Sequence, residues 1–358
     1  MYPAFAVAEA IQAADGEFPP VDLIFVGSAR GVETGMVARS GVQWAHTAFI
    51  QSGPVHGVGP LRMLSSAARL AVGLAQALGL VARWRPQRVF LTGGWASLPV
   101  ALAAWLGRVP LLGFVPDVEP GWALRWAGRF ARRVAATVQD TAAYFPPGKV
   151  VETGYPLRQS ILRASRQQAL AHFRLDPARQ TLLVAGGSRG ARSINRAFLG
   201  ILPDVLADGV QVLHVSGPLD WPEVCQMGER LDPAARARYH AFDYLHDDMG
   251  LALAAADLVV SRAGASTLGE YPQFGLPAVL VPYPYAWRYQ QRNAEYLVSR
   301  GAALSLADDT LAEALYPTVR RLLSDPATLR QMSERARALA RPDGARNIAR
   351  LLLALEAR

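Results

Sequence analysis

The stretch Asp257–Asn293, DLVVSRAGASTLGEYPQFGLPAVLVPYPYAWRYQQRN, constrains this chain most. Leu258-Val259-Val260 is a short, wholly apolar run, the pattern of a parallel strand buried on both faces. Ser261-Arg262-Ala263-Gly264 reads as a tight turn, Ala265 to Phe274 as a helix, Gly275-Leu276-Pro277 as its stop, and Ala278 to Val281 as the next strand. A strand that feeds a helix through such a turn aims the helix's unpaired N–H groups past the sheet edge. That end of the helix dipole is positive, so the arrangement is an anion site. Glu270, one turn into the helix, cannot hold a phosphate; an acceptor placed there suits a sugar hydroxyl. The same residues also fit a plain strand–helix unit in which Ser266 and Thr267 only cap the helix.

A second stretch favours the first reading. Thr181 to Asn195 is TLLVAGGSRGARSIN: a buried strand, then Gly186-Gly187-Ser188-Arg189-Gly190, then a helix from Ala191 to near Leu202, where Pro203 follows. Glycines let backbone amides approach a diphosphate without Cβ interference, and Arg189 could add charge. No Gly-Lys-Ser/Thr follows, so this is not a Walker loop. Two such loops, about 75 residues apart on strands of one expected sheet, point to a nucleoside diphosphate held between helix N-termini.

GGSRGARSIN, SRAGASTLGE, GLPAVLVP and YQQRNA resemble the MurG family, in order and spacing, from YPAFAVAEAI to the final helices. The resemblance implies an inverting glycosyltransferase of the GT-B fold: two Rossmann-like parallel-sheet α/β domains with a cleft between them. It implies transfer of N-acetylglucosamine from UDP-N-acetylglucosamine to a polyprenyl-diphosphate muramyl-peptide, lipid I to lipid II, for peptidoglycan synthesis and through it cell shape and division. No cofactor is implied. The place implied is the cytoplasmic face of the bacterial inner membrane, as a peripheral protein on an anionic surface. Two other readings fit the same residues: a related GT-B enzyme with another lipid acceptor such as diacylglycerol, or a degenerate member that binds UDP-sugar without turnover.

Composition sets the limits. At 358 residues and 51% hydrophobic content the chain can bury two ordinary cores and is not disordered. Cys225 is the single cysteine, which excludes a disulfide framework or a cysteine metal site. The six histidines carry no HxxxH spacing, and no signal peptide opens the chain. The most membrane-like run, Val89 to Gly107, is divided by Gly93-Gly94 and Pro99 and reads as strand, turn and buried helix. Between His56 and Arg133 ten arginines stand against Asp117 and Glu119, so this segment carries an excess equal to the chain's net +8. Such asymmetry implies an anionic partner surface, and no nucleic-acid-binding module accompanies it.

Along the chain, strand and helix patterns alternate twice, with YPLRQS at Tyr155–Ser160 as the linker. The expected domains are 1–155 on the acceptor and membrane side, 156–340 for the UDP-sugar, and a C-terminal helix in 341–358 packing back on the first. Helices are expected over Pro3–Ala14 and Trp122–Arg133, the latter basic and amphipathic, with Trp122, Trp126 and Phe130 beside Arg125, Arg129, Arg132 and Arg133. Strands are expected at Val21–Val26, Ala136–Gln139 and Tyr239–Phe242, among others.

Transfer from a UDP ester needs a stabilised leaving group, an oriented sugar and a deprotonated acceptor hydroxyl. No DxD occurs, and Asp247-Asp248 reads as a helix N-cap, so helix N-termini rather than a metal are expected to meet the departing UDP. The resemblance carries roles onto matching positions. Ser188, Arg189 and Gly190 would meet the diphosphate, as would the helix start Ala265, Ser266, Thr267, Leu268 and Gly269. Glu270 would accept the ribose hydroxyls. Gln290, Gln291 and Asn293 would lie at the N-acetylglucosamine, Arg158 near the nucleotide, and Leu245 and His246 at the uracil. Gly93, Gly94 and Asp117 fall on the acceptor side.

Two departures stand out. The family's opening strand and GGTGGH loop, with the His that serves as its candidate base, would lie upstream of Met1. The first strand of the N-terminal domain is therefore expected from DNA upstream of the Met1 codon. The family's HEQN segment is replaced by Phe114, Val115, Pro116 and Asp117, which leaves Asp117 or Glu119 as a substitute base.

Overall fold

The computed structural model describes residues 1–13, 16–29, 33–38, 40–54, 59–187, 190–285 and 288–356. It divides into two compact units: residues 1–158 with 342–358, and residues 159–341. The strands of the first unit are β1 (Ile24–Ser28), β2 (His46–Ile50), β3 (Val89–Leu91), β4 (Leu111–Val115), β5 (Arg133–Ala136) and β6 (Val150–Glu152). Those of the second are β7 (Thr181–Ala185), β8 (Gln211–Val215), β9 (Tyr239–Phe242), β10 (Leu258–Ser261), β11 (Ala278–Leu280) and β12 (Ala303–Ser305). Every pairing among the described residues is parallel. Parallel strands require helical crossovers, which explains why the strands read as apolar runs without alternation.

In the first unit β1 pairs with β2, and a separate sheet runs β3-β4-β5-β6. Helix Tyr2–Ile11 serves both: Phe5 packs with Phe25 of β1, while Val7 and Ile11 join Leu112 and Phe114 of β4. The chain's last helix, Gly344–Leu353, closes the same core with Ile348 and Ala349, and Asn347 donates to the Thr153 carbonyl at 3.2 Å. Gly344 sits so close to the chain at Tyr155 that a Cβ would lie 2.5 Å from that carbonyl oxygen. Gly344→Ala is therefore expected to destabilise the first unit by about 1–3 kcal/mol, read as a lower urea midpoint; an unchanged midpoint would contradict this seating.

Three elements differ from the sequence pattern. The basic helix is Trp122–Phe130; Ala131 is extended and Arg133 opens β5, because Val134, Ala135 and Ala136 are needed in the sheet beside β4. Helix Arg192–Ala207 continues through Pro203. Its buried face, Phe198, Leu202, Val205 and Leu206, extends past the proline, and that burial outweighs the lost hydrogen bond. Asp248 stands at the N-cap of Met249–Ala255 without a side-chain cap bond and instead lies 3.3 Å from the His172 ring.

The run Val89–Gly107 holds β3, a turn and helix Ser97–Leu106. Among the described residues, the helix long and apolar enough to cross a membrane is a different one, Leu61–Trp84, with an 18-residue stretch at a mean hydropathy of 1.4. One side of it is fastened to the first unit. Ser66, Gly73 and Ala77 are buried, Gln76 accepts from the Gln51 N–H at 2.8 Å, and Gly73 lies directly against the Gln51 carbonyl. The other side exposes Leu61, Met63, Leu64, Val72 and Leu78.

Candidate functional site

The second unit is one six-stranded sheet ordered β12-β11-β10-β7-β8-β9. From β7 the chain winds toward β8 and β9; from β10 it winds toward β11 and β12. The reversal falls between the neighbours β7 and β10, whose carboxyl ends open a crevice between diverging helices. Both small-residue loops emerge there, Gly186–Gly190 from β7 and Arg262–Ser266 from β10, on strands about 5 Å apart.

The β7 loop is shaped by close approach. Gly187 and Gly190 have φ of +81° and +78°, and a Cβ on Gly190 would overlap the Ser216 carbonyl oxygen at the end of β8. Ser188 and Arg189 lie outside the described residues.

Below the loop is a buried polar network. Asn195 Nδ2 donates to the Ser216 carbonyl and to Asp220 Oδ2, both at 2.8 Å, which turns Asn195 Oδ1 toward His214. His214 Nε2 lies 3.1 Å from that oxygen and so carries the proton. Its Nδ1, 2.8 Å from the Tyr239 hydroxyl, is then the acceptor, and burial pushes the Tyr239 phenol up so that it stays a donor.

Burial lowers the His214 pKa to about 3, against a weaker opposing pull from Asp220. His214 is thus neutral in the folded protein, while in the unfolded chain it charges below its ordinary value of 6.5. The native state then binds fewer protons, so the stability from this group is complete above pH 6.5 and is lost as pH falls toward about 3. The slope is about 1.4 kcal/mol per pH unit, or about 2 kcal/mol between pH 6.5 and 5. Urea titrations of parent and His214→Gln across that range check it; equal slopes would contradict the assignment.

The β10 loop is built differently. Thr267 Oγ1 donates to the Gly264 carbonyl at 2.7 Å and its N–H to the same oxygen at 3.0 Å. The N–H groups of Leu268, Gly269 and Glu270 are also committed, to Ala265 and Ser266 carbonyls. Among the described residues those of Ala265 and Ser266 reach no backbone carbonyl. Glu270 follows, half-buried, on helix Thr267–Phe274, whereas the Leu268 side chain is buried in the core. Asn293 is fully buried and donates to the Ala263 carbonyl at 3.1 Å, which supports the turn from beneath. Gln290 is half-buried at the start of helix Tyr289–Ser299 and accepts from the Tyr283 N–H at 2.8 Å. Gln291 is exposed and donates to Glu295 at 3.2 Å.

Sequence reasoning missed Arg262. Its guanidinium, in a side chain only 10% exposed, pairs with Asp308 after β12 and donates to Ser193 Oγ at 2.7 Å and to the Val281 carbonyl at 3.1 Å. Ser193 in turn donates to Asp308 at 2.7 Å. One side chain thereby ties the β10 loop to the first turn of the helix that follows the β7 loop. An Arg inside a small-residue turn was the only signal in the sequence.

The remaining candidates stand on other elements. Leu245 and His246 follow β9, two strands and about 10 Å across the sheet from β7; Leu245 is buried and His246 exposed against Tyr244. Arg158, the last residue of the first unit, stacks its guanidinium 4.6 Å from the Tyr2 ring centroid. Gly93 and Gly94, both with positive φ, follow β3, and Asp117 follows the adjacent β4, where Thr141 Oγ1 donates to the Val118 carbonyl at 3.1 Å.

Residues 1–136 match the glycosyltransferase family 28 N-terminal domain, and residues 181–348 the glycosyltransferase family 28 C-terminal domain. The chain is 39% identical to the UDP-N-acetylglucosamine--N-acetylmuramyl-(pentapeptide) pyrophosphoryl-undecaprenol N-acetylglucosamine transferase of Roseiflexus sp. (strain RS-1), over 98% of this chain and 91% of the relative. A protein of the same description from Desulforudis audaxviator (strain MP104C) is 37% identical over 96% and 91%. Among solved structures, Acinetobacter baumannii MurG superposes with a TM-score of 0.75 at 22% identity, covering 99% of this chain and 96% of that one. The UDP-GlcNAc 2-epimerase from Neisseria meningitidis bound to UDP-GlcNAc superposes at 0.69 with 11% identity over 99% and 96%. These likenesses establish the fold as the two-domain, Rossmann-like GT-B arrangement.

Proposed function

The chain belongs to glycosyltransferase family 28, and from that membership we propose that it moves N-acetylglucosamine from UDP-N-acetylglucosamine to undecaprenyl-diphosphate-muramyl-pentapeptide. The observation that carries the donor half is the pair of loops at the strand-order reversal between β7 and β10. The amides of Ala265 and Ser266, which reach no backbone carbonyl among the described residues, stand beside a glycine loop on the neighbouring strand and suit the two phosphates of a departing UDP. Donors already fixed by the fold stabilise that developing charge without reorganising. Glu270 accepts from the ribose hydroxyls, and Gln290 offers its amide nitrogen to the sugar while its oxygen is held by Tyr283. Asn293 acts through the turn it supports. Ser188 and Arg189 belong to the diphosphate site, Leu245 and His246 to the base.

On the acceptor side, the Gly93-Gly94 turn and the loop with Asp117 and Glu119 stand at the carboxyl ends of adjacent strands. Those two carboxylates are what the loop offers to take a hydroxyl proton. The partner surface is an anionic membrane. Ten arginines between His56 and Arg133 face two carboxylates, and the long helix turns an exposed apolar side outward from the same unit.

Release of UDP from UDP-N-acetylglucosamine in the presence of a short-chain lipid I analogue, and not of diacylglycerol, is the expected result. Turnover with diacylglycerol alone would move the chain to another acceptor; UDP binding without any release would make it a binding protein.

A further inference from the structure

The carboxyl end of β11, the strand beside β10, carries two tyrosines that the donor site described above leaves unused. Val281 is buried, and the chain then leaves the sheet as Pro282-Tyr283-Pro284-Tyr285. Tyr283 is 44% exposed and Tyr285 82%, the most exposed large hydrophobic side chain of the second unit among the described residues. An aromatic ring left in water beside a ligand-binding edge calls for an occupant.

These rings are held in place. The Arg262 guanidinium lies over the Tyr283 ring, 5.2 Å from its centroid, and Arg262 is itself fixed by Asp308, Ser193 and the Val281 carbonyl. Tyr283 and Tyr285 meet edge to face, with centroids 5.5 Å apart and planes at 67°. Pro282 and Pro284 flank Tyr283 and restrict the backbone between the sheet and Tyr285.

The same segment orients an amide. The Tyr283 N–H donates to Gln290 Oε1 at 2.8 Å, and among the described residues no hydrogen bond reaches Gln290 Nε2. Tyr283 therefore fixes an amide donor through its backbone and an aromatic surface through its ring. A pyranose asks for both. Its hydroxyls lie at the ring edge and take hydrogen bonds, while the axial C–H groups of a gluco-configured ring form an apolar face that packs on an aromatic one. A phosphate or carboxylate would call for an available cation instead, and Arg262 is already paired with Asp308.

We infer that the Tyr285 ring is a stacking platform for the pyranose of the sugar-nucleotide donor, with Tyr283 as the residue that positions it. The inference rests on the donor reading above and adds to it a contact that separates a sugar nucleotide from the bare nucleotide. The test is calorimetric titration of the full chain with UDP and with UDP-N-acetylglucosamine, no acceptor present, with thermal unfolding as the folding control. Tyr285→Ala is expected to weaken UDP-N-acetylglucosamine about fivefold, within the range of one aromatic contact, and UDP less than about twofold, because only the first ligand carries the sugar. Tyr285→Phe keeps the ring and should bind both ligands as the parent does.

An equal loss for the two ligands in Tyr285→Ala means a displaced loop and overturns the platform. Unchanged affinity for both overturns it as well, and a raised KM for the lipid acceptor in that variant would then give the ring to the acceptor. A parent that binds neither ligand removes the donor reading on which the platform stands, whereas a parent that binds both, with Tyr285→Ala unchanged, removes the platform alone.

Discussion

Arg262→Met is expected to lower the stability of the second unit by about 3 kcal/mol. The pair it breaks is largely buried, with Arg262 10% and Asp308 24% exposed, so the truncation strands a carboxylate that water reaches poorly. It also removes the donors to Ser193 and to the Val281 carbonyl. The charge, more than the hydrogen bonds, sets the size of the effect, and adding Asp308→Leu to the Arg262→Met background should recover much of the loss because no unpaired charge then remains. Urea unfolding of the single and double variants measures both. A loss under about 1 kcal/mol for Arg262→Met would mean that Asp308 is solvated well enough to stand alone. UDP affinity should fall with stability in the single variant, since Arg262 joins the loop after β10 to the helix that follows the loop after β7.

What the sequence made legible follows from what burial writes into it. Strands covered on both faces must be apolar throughout, so LLVA and LVV mark β7 and β10, and the small-residue loops after them mark the carboxyl edge. Strand order does not appear in any local pattern. That β10 lies beside β7, with β8 on the far side, is settled by packing across tens of residues, and it is this adjacency that brings the two loops together.

Local rules failed where tertiary burial outweighed them. Pro203 should end a helix, yet the apolar face of Arg192–Ala207 carries the chain through it. Arg132 and Arg133 extend a basic helical pattern, yet Val134–Ala136 are taken by the sheet. Side-chain roles were the least legible. Asn293 and Gln291 are both amides in one helical stretch, but one is sealed under the β10 turn and the other lies in solvent. Arg262 read only as one residue of a tight turn and is a buried tie.

Glu270→Ala is expected to weaken UDP binding roughly tenfold to a hundredfold, with no loss of fold. A charge-assisted hydrogen bond to a hydroxyl contributes about 1.5–3 kcal/mol, which is that range of affinity. The fold should survive because Glu270 is half-buried on a helix whose core contacts come from Thr267, Leu268 and Tyr271. Calorimetric titration of UDP gives the loss, and Glu270→Gln, which keeps an acceptor without the charge, should fall between parent and Ala. Affinity alone would not separate a ribose contact from a displaced loop. Titration with 2′-deoxy-UDP does: the parent should bind it more weakly than UDP, and Glu270→Ala should bind the two alike, because the partner of the missing hydroxyl is already gone. If instead both proteins discriminate equally between the two nucleotides, the ribose lies elsewhere and Glu270 is a surface acid on an ordinary helix.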